Sequence, residues 1–417
     1  MKIAIFSHYF PPEISAPSAR LFELGKEWVK HGHTVRVVTG FPNHPTGIIP
    51  PSYRHKMTMR EFMAGIDVLR CVTYVTPNRG TLKRTLGHLS FMVSALLLSA
   101  PRFDKVDVAI GSSPTLFSAV AACLFSLMRR IPFVFEVRDL WPAIFVEMGL
   151  LKPGMTLFLL EAIESWLYRR AARIVVVTDS FAQILIRRGY DPTKIVFIPN
   201  GADIEFFNPV GTVEADKALR EHYAPGSTFI ALYIGAHGIS QHLKTILDVA
   251  DRLQDRSDIA FLLIGEGAEK AQLMSEANKR HLTNVRFVPG QPHELMPALY
   301  RMADVCFVPL RHVPLFSTFI PSKLFEIMAS GRVIIGSVSG EARTILEKSG
   351  GALVTDPEDD EAIAEAVEHL ADHPETAREL GSHGRAFVVE HYRRDVLAAR
   401  YLDVLNTVIF EHSKTSR

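Results

Sequence analysis

The chain has 417 residues, a net charge of +1, 47% hydrophobic and 22% charged residues. That length predicts two or three domains with ample core, and the balanced charge gives no electrostatic case for a nucleic-acid partner. The three cysteines, Cys71, Cys123 and Cys306, are far apart and fit neither a disulfide framework nor a zinc site, so a reducing compartment is expected.

Met1-Lys2 leads at once into a strand-like IAIF rather than a signal-peptide apolar segment, so a cytoplasmic location is expected. Residues 2–7 read as a strand, the Pro-rich loop YFPPEISAP covers 9–17 with Ser15 as a candidate helix cap, and 21–30 has helical apolar spacing that Gly32 stops. Residues 34–39 (TVRVVT) are the next strand. Such a strand, loop, helix, strand unit predicts parallel pairing, with ligands at the loop after the first strand. The loop over 41–53 (FPNHPTGIIPPSY) is long, which inside a domain points to function.

One or two strands fall within 65–74, followed by a nearly all-round apolar helix over 81–100, led in by Lys83, Arg84 and His88. No apolar run reaches the ~20 residues that cross a bilayer, and 86–100 comes nearest. Two readings of this helix stay open: a buried core helix, or an interfacial one whose basic residues meet lipid headgroups while Phe91, Met92, Leu96 and Leu97 dip into the acyl boundary.

A strand over 106–111 ends in Ser112 and Ser113, candidate caps for a helix over 114–128. The strand 133–137 runs directly into Arg138-Asp139-Leu140-Trp141-Pro142. Charged residues at the carboxyl end of a core strand sit where open α/β sheets bind substrate, and pleating places Glu136 and Arg138 on one face. A helix over 155–172, a strand over 174–178, Asp179 as cap, a helix over 180–188 and a strand over 195–198 complete about seven strands of one doubly wound domain. After a loose polar stretch over 203–225, the alternation restarts at 229–234 and continues to a helix at 341–348. Helices over 358–372, 374–390 and 393–411 close the chain, and the last is long enough to return to the first domain. The acidic run 356–361 reads as a solvated helix start.

Within the second half, 320–331 (IPSKLFEIMASG) reads as a helix opened at Pro321 and Ser322 and closed by Gly331. It sets Lys323 and Glu326 on one face at the end rich in unpaired N–H groups. That arrangement suits a diphosphate, with Lys323 as counter-charge and Glu326 accepting from ribose hydroxyls. An exposed ion pair is the other reading.

Taken in order, YFPPEISAPSAR, GHTVRVVTGFPNHPTG, FEVRDLWP, IPNGAD, YIGAHGISQHL and the 321–331 helix resemble the retaining GT-B glycosyltransferases of the group 1 (family 4) type, of the WbuB-like subgroup. The resemblance covers essentially the whole chain. It implies a GT-B α/β fold, two Rossmann-like doubly wound domains facing a cleft: 1–205 for the acceptor, 206–390 for the nucleotide-sugar, and a helix at 391–417 bracing the first. It implies transfer with retention, without a metal ion or other cofactor, from a nucleotide-sugar donor, UDP-linked by family habit. The implied acceptor is a glycan or a polyprenyl-diphosphate-linked glycan of bacterial surface polysaccharide (O-antigen, capsule, exopolysaccharide), and the enzyme is expected in the cytoplasm or peripherally on the inner face of the membrane, with 81–100 as its contact. A sugar-nucleotide epimerase and a non-catalytic nucleotide-sugar binding protein on the same scaffold are the alternatives.

The family's E-x7-E pair maps to Thr318 and Glu326, so the first carboxylate is missing, and Thr318 or the backbone of Phe319 is left to meet sugar hydroxyls. The family's Arg and Lys after the first strand of the second domain are also absent, leaving His237, Gly238 and Gln241 beside Lys323 and Leu324 for the donor. Gly265, Gly267 and Gln291 lie at strand ends where the family binds the base. Asp139 is the candidate carboxylate that orients or deprotonates the acceptor, with Glu136 and Arg138 beside it. Pro12, Glu13, Ser15 and His44 are the candidate acceptor-loop residues, with His8 nearby.

Overall fold

The computed structural model describes residues 1–13, 15–43, 47–75, 81–103, 105–149 and 151–415, without side-chain placement at 81, 82, 84, 213 and 415. His44 and the side chain of Arg84 therefore lie outside the described residues. The chain divides into two units, Met1–Pro199 with Asp395–Arg417, and Asn200–Arg394.

In the first unit, the described strands are β1 (Lys2–Phe6), β2 (Thr34–Gly40), β3 (Thr58–Met63), β4 (Ile66–Cys71), β5 (Val108–Ser112), β6 (Phe133–Val137), β7 (Arg173–Val176) and β8 (Ile195–Phe197). They form one sheet in the order β3-β4-β2-β1-β5-β6-β7-β8. All pairs are parallel except β3 with β4. Parallel strands need covered faces, and one face of the central strands is apolar: Ile3, Ile5, Val37, Val108, Ile110 and Val134 are buried in one cluster with Leu21, Leu24 and Trp28 of the helix Ala16–Lys30.

The helix Arg394–Thr415 completes that cluster through Leu397, Tyr401, Leu405 and Val408. Trp28 Nε1 donates to Ala398 O at 3.0 Å, and the Trp28 ring meets Tyr401 edge-on at 5.3 Å. The closing helix thus belongs to the core of the first unit.

In the second unit, β9 (Phe229–Ile234), β10 (Ile259–Ile264), β11 (Val285–Val288), β12 (Val305–Pro309), β13 (Val333–Ser337) and β14 (Ala352–Thr355) pair in parallel in the order β11-β10-β9-β12-β13-β14. Each unit is therefore an α/β Rossmann-like layer structure whose strand ends share one edge, the edge where such sheets bind ligands.

Several local expectations are corrected. The hairpin strand β3 and the edge strand β14 form over stretches for which no element was expected, and a short helix Ala143–Glu147 follows Pro142. Thr178, and not Asp179, caps the helix Asp179–Arg187, its side chain accepting from Phe181 N. Ser112 and Ser113 cap nothing: Ser112 Oγ donates to Glu136, and Ser113 Oγ accepts from Arg138 N. The helix Thr81–Ser99 is neither wholly core nor wholly interfacial. Phe91 and Ala95 are fully buried, whereas Leu86, Val93 and Leu97 are exposed. Among the described residues no helix is long and apolar enough to cross a membrane.

Glu136 has no exposure at all. Its carboxylate takes Arg20 Nε at 3.3 Å and Ser112 Oγ at 3.0 Å, while the Arg20 guanidinium also donates to Ile198 O and Pro199 O. This carboxylate ties β6 to β5, to the first helix and to the chain after β8. Glu136→Ala would leave the buried Arg20 charge uncompensated and is expected to destabilise the first unit by about 3–5 kcal/mol. Urea unfolding followed by tryptophan fluorescence checks this, and a variant as stable as the parent would contradict it.

Candidate functional site

The second unit gathers its candidate residues at the carboxyl ends of β9, β10 and β12. β9 ends in Gly235, whose φ of +148° favours glycine. A side chain there would collide with Lys323 Nζ. The Lys323 ammonium lies 4.0 Å from the centroid of the Tyr233 ring, a cation–π contact. Tyr233 is fully buried and donates from Oη to Ala236 O at 2.7 Å, which fixes its ring. Burial lowers the Lys323 pKa to about 7, against the opposing pull of the Glu326 carboxylate.

Lys323 opens the helix Lys323–Ala329, seven residues long, and Ser322 makes no side-chain cap bond there. The helix buries Leu324, Phe325, Ile327 and Met328. Leu324 therefore packs in the core and is withdrawn as a donor contact. Lys323 and Glu326 remain half-buried on the other side. Glu326 Oε2 accepts from Tyr300 Oη at 3.2 Å. Burial, and then that carboxylate, hold the Tyr300 phenol well above its ordinary pKa.

The loops after β9 and β10 interlock. His237 N donates to Glu266 O, and Glu269 N donates to His237 O, both at 2.9 Å. Gly265 has φ +150°, and a side chain there would overlap Gly235 O, while one at Gly267 would overlap the His237 backbone. These glycines are thus required for loop packing. Lys270 Nζ fastens the layer by donating to Gly265 O, Glu266 Oε1 and Val288 O.

The expected role of His237 as a phosphate contact is corrected. Its ring has no exposure, and burial depresses its pKa to about 4, with Lys270 adding to the effect. A neutral imidazole enclosed between Tyr233 and Phe287 positions the loop and does not meet an anion. Thr318 Oγ1 donates to Leu315 O at 2.7 Å inside the turn Pro314–Thr318, and Phe319 N donates to Phe316 O. Their donors are engaged locally, leaving oxygen acceptors. Gly238 and Gln241 border the site in the turn after β9, and Gln241 is half-buried. Gln291, half-buried after β11, donates from its amide to Pro289 O at 3.0 Å.

In the first unit, Asp139 follows β6 and is half-buried. Burial raises its pKa, opposed by the neighbouring Arg138. A carboxyl shifted upward is a better proton acceptor than an ordinary surface aspartate. Arg138 is mostly buried, and Glu136, one pleat earlier, is the structural carboxylate described above and not a catalytic one. Ser15 Oγ accepts from Ser18 N as the cap of the first helix, Glu13 Oε1 accepts from Asn43 N at 2.8 Å, and Pro12 is exposed. Ser15 and Glu13 therefore shape the loop after β1. His8, at that strand's end, packs edge-on against His88 at 4.7 Å and Phe91 at 5.0 Å.

Sequence reasoning missed Tyr233 and Tyr300, which read as strand and helix hydrophobes. It also missed a small cluster in which Glu358 (φ +68°) accepts from His312 N at 2.8 Å and lies 3.7 Å from His242 Nδ1. Positive φ at a non-glycine residue carries no sequence signal. Among the described residues no group of three or more His, Cys, Asp or Glu could hold a metal ion.

Comparison with known proteins gives the class of the chain. Residues 15–201 match the glycosyl transferase 4-like domain, and residues 215–387 match the glycosyl transferases group 1 family. The chain is 30% identical over 389 residues to the putative colanic acid biosynthesis glycosyl transferase WcaI of Escherichia coli K12, covering 91% of this chain and 95% of that protein. The chain belongs to the group 1 glycosyltransferases and is a glycosyltransferase. Its fold is GT-B. Sucrose-phosphate synthase from Thermosynechococcus elongatus superposes with a TM-score of 0.77 at 18% identity, over 98% of this chain and 99% of that one. Anabaena Alr3699/HepE in complex with UDP-glucose superposes with a TM-score of 0.72 at 13% identity, over 98% and 100%.

The Gly265 contact generates a prediction. Gly265→Ala forces the 235–238 loop to move and is expected to destabilise the second unit by about 1–3 kcal/mol, with faster amide exchange at 235–238. Unchanged exchange there would contradict the interlock.

Proposed function

We propose that the protein is a retaining, metal-independent glycosyltransferase that moves a sugar from a UDP-sugar to a glycan or polyprenyl-diphosphate-linked acceptor during assembly of a bacterial surface polysaccharide. The observation that carries this reading is Lys323: a half-buried ammonium of lowered pKa, braced against an aromatic ring at a glycine-lined strand end, with a hydrogen-bonded carboxylate one turn away. The donor's diphosphate takes Lys323 as counter-charge, and its ribose hydroxyls donate to Glu326. The name of the E. coli relative supports a polysaccharide role, and the HepE complex supports a uridine nucleotide.

The barrier to transfer is charge separation: the sugar gains oxocarbenium character as the bond to the diphosphate oxygen breaks. A cation fixed beside the leaving group before reaction lowers that barrier, because no solvent must reorganise. The acceptor hydroxyl adds to the sugar on the face the diphosphate leaves, and Asp139 takes its proton. Membrane contact belongs to this proposal through the lead-in of the helix 81–99, where the exposed Lys83 can meet anionic headgroups. Phe91, buried beneath that helix, takes no part.

Two tests follow. A lysine that titrates near 7 when free must be protonated to hold a diphosphate, so binding takes up a proton. UDP-glucose affinity, measured by calorimetry, should then fall by up to about tenfold per pH unit above about 7. Lys323→Met should bind weakly and lose that slope, whereas a parent-like profile would place the diphosphate elsewhere. Asp139→Asn should retain UDP-glucose binding while the transfer rate drops about 10²–10⁴-fold. Parent-like turnover would remove Asp139 from the chemistry.

A further inference from the structure

An apolar trough of about 510 Å³ runs between the helix 81–99 and the β3–β4 hairpin. Met57 and Val72 form one wall, and Leu86, Leu89, Val93 and Leu97 form the other. Positions 86, 89, 93 and 97 fall on one helical stripe, and the eleven steps from first to last span about 16 Å at the α-helical rise. Met57 and Leu97 are 67% and 65% exposed, so this lining stands open to solvent.

The two serines in the trough are turned away from any occupant. Ser94 Oγ donates to Val72 O at 2.6 Å, and Ser90 Oγ donates to Gly87 O while accepting from Tyr74 N, both at 2.7 Å. A peptide or sugar lying here would bury polar groups with nothing to answer them, at a cost of about 1–3 kcal/mol each. A peptide would do better on the outer edge of β3, the end strand of the sheet. A hydrocarbon chain meets neither penalty. The exposed ammonium of Lys83 at one end complements the anionic head of a single lipid-linked chain.

One end of the trough adjoins the ligand edge of the sheet. His88, next to Leu89, packs on His8 at the end of β1, and Lys83 is exposed one turn before Leu86. A lipid-linked acceptor could therefore set its phosphates near Lys83 and its glycan at the strand ends, with its tail running down the trough.

We propose that this trough binds the isoprenoid chain of the acceptor, an assignment that rests on the lipid-linked acceptor reading above. The test uses a benzophenone-bearing polyisoprenyl phosphate in detergent, irradiated with the full-length protein, and mass spectrometry of the labelled peptides. Label is expected on peptides containing Met57 or Leu86 to Leu97. Val93→Asp and Leu97→Asp should each weaken labelling about tenfold, the scale of one lost apolar contact surface. Met57→Asp, on the opposite wall, gives the same result should a helix variant fold poorly. Phe158→Asp, at an apolar residue 65% exposed on another helix, should leave labelling unchanged. UDP-glucose binding, measured alongside, should be parent-like in all four.

Label spread over other segments, or equal losses in Phe158→Asp, would overturn the assignment. So would variants that keep their label in detergent but lose sedimentation with phosphatidylglycerol vesicles free of isoprenoid, since the trough would then contact bulk lipid. Specific labelling in a protein that binds no UDP-glucose would leave the trough standing and refute the donor reading instead.

Discussion

The cation at Lys323 is the constraint on which the second unit's site depends. It projects against the face of Tyr233 through space that exists only because position 235 has no side chain. An ammonium here loses much of its hydration, and the aromatic face and the Glu326 carboxylate return only part of that loss. The result is a group held near the point of losing its proton. An anion bound here would return the stabilisation the ammonium has lost, so its binding would be coupled to uptake of a proton. The interlocked loops after β9 and β10, fixed by Lys270 and by two side-chain-free positions, keep this geometry in place before any ligand binds.

The first unit shows how similar residue types on one strand end divide their tasks by burial. Glu136 is fully enclosed and ion-paired with Arg20, so it braces the sheet. Asp139, three residues on, has left the strand and kept partial exposure, and its raised pKa suits a group that exchanges protons. The C-terminal helix that seals this unit does so with Trp28, Tyr401 and Leu405, and contributes to stability rather than to the chemistry.

The fold was legible because buried parallel strands declare themselves: IAIF and IAFLLI are unbroken apolar runs, TVRVVT and FVFEV are rich in β-branched and aromatic residues, and helical periods separate them. β3 (TMREFM) escaped because its polar-apolar mixture is that of an edge strand, half in solvent. β14 (ALVT) is too short to stand out. Within the site, the helix bearing Lys323 and Glu326 was readable from spacing alone. Glu136, Leu324 and His237 were misassigned because a sequence reports that a residue lies at a strand end or on a helix but not whether its side chain turns inward. The Thr318 hydroxyl closes its own turn, as hydroxyls near turns often do, which the sequence does not report. Tyr233 and Tyr300 were invisible because their importance lies in what they touch.

Donor binding in this site depends on the ionisation of one amino group. Nitrogen-15 NMR of the side-chain amine of Lys323, assigned by comparison with Lys323→Arg and titrated with and without UDP-glucose, measures it directly. A pKa near 7 in the free protein and a clear rise when the nucleotide is bound are expected. An ordinary lysine value that UDP-glucose leaves unchanged would contradict that dependence.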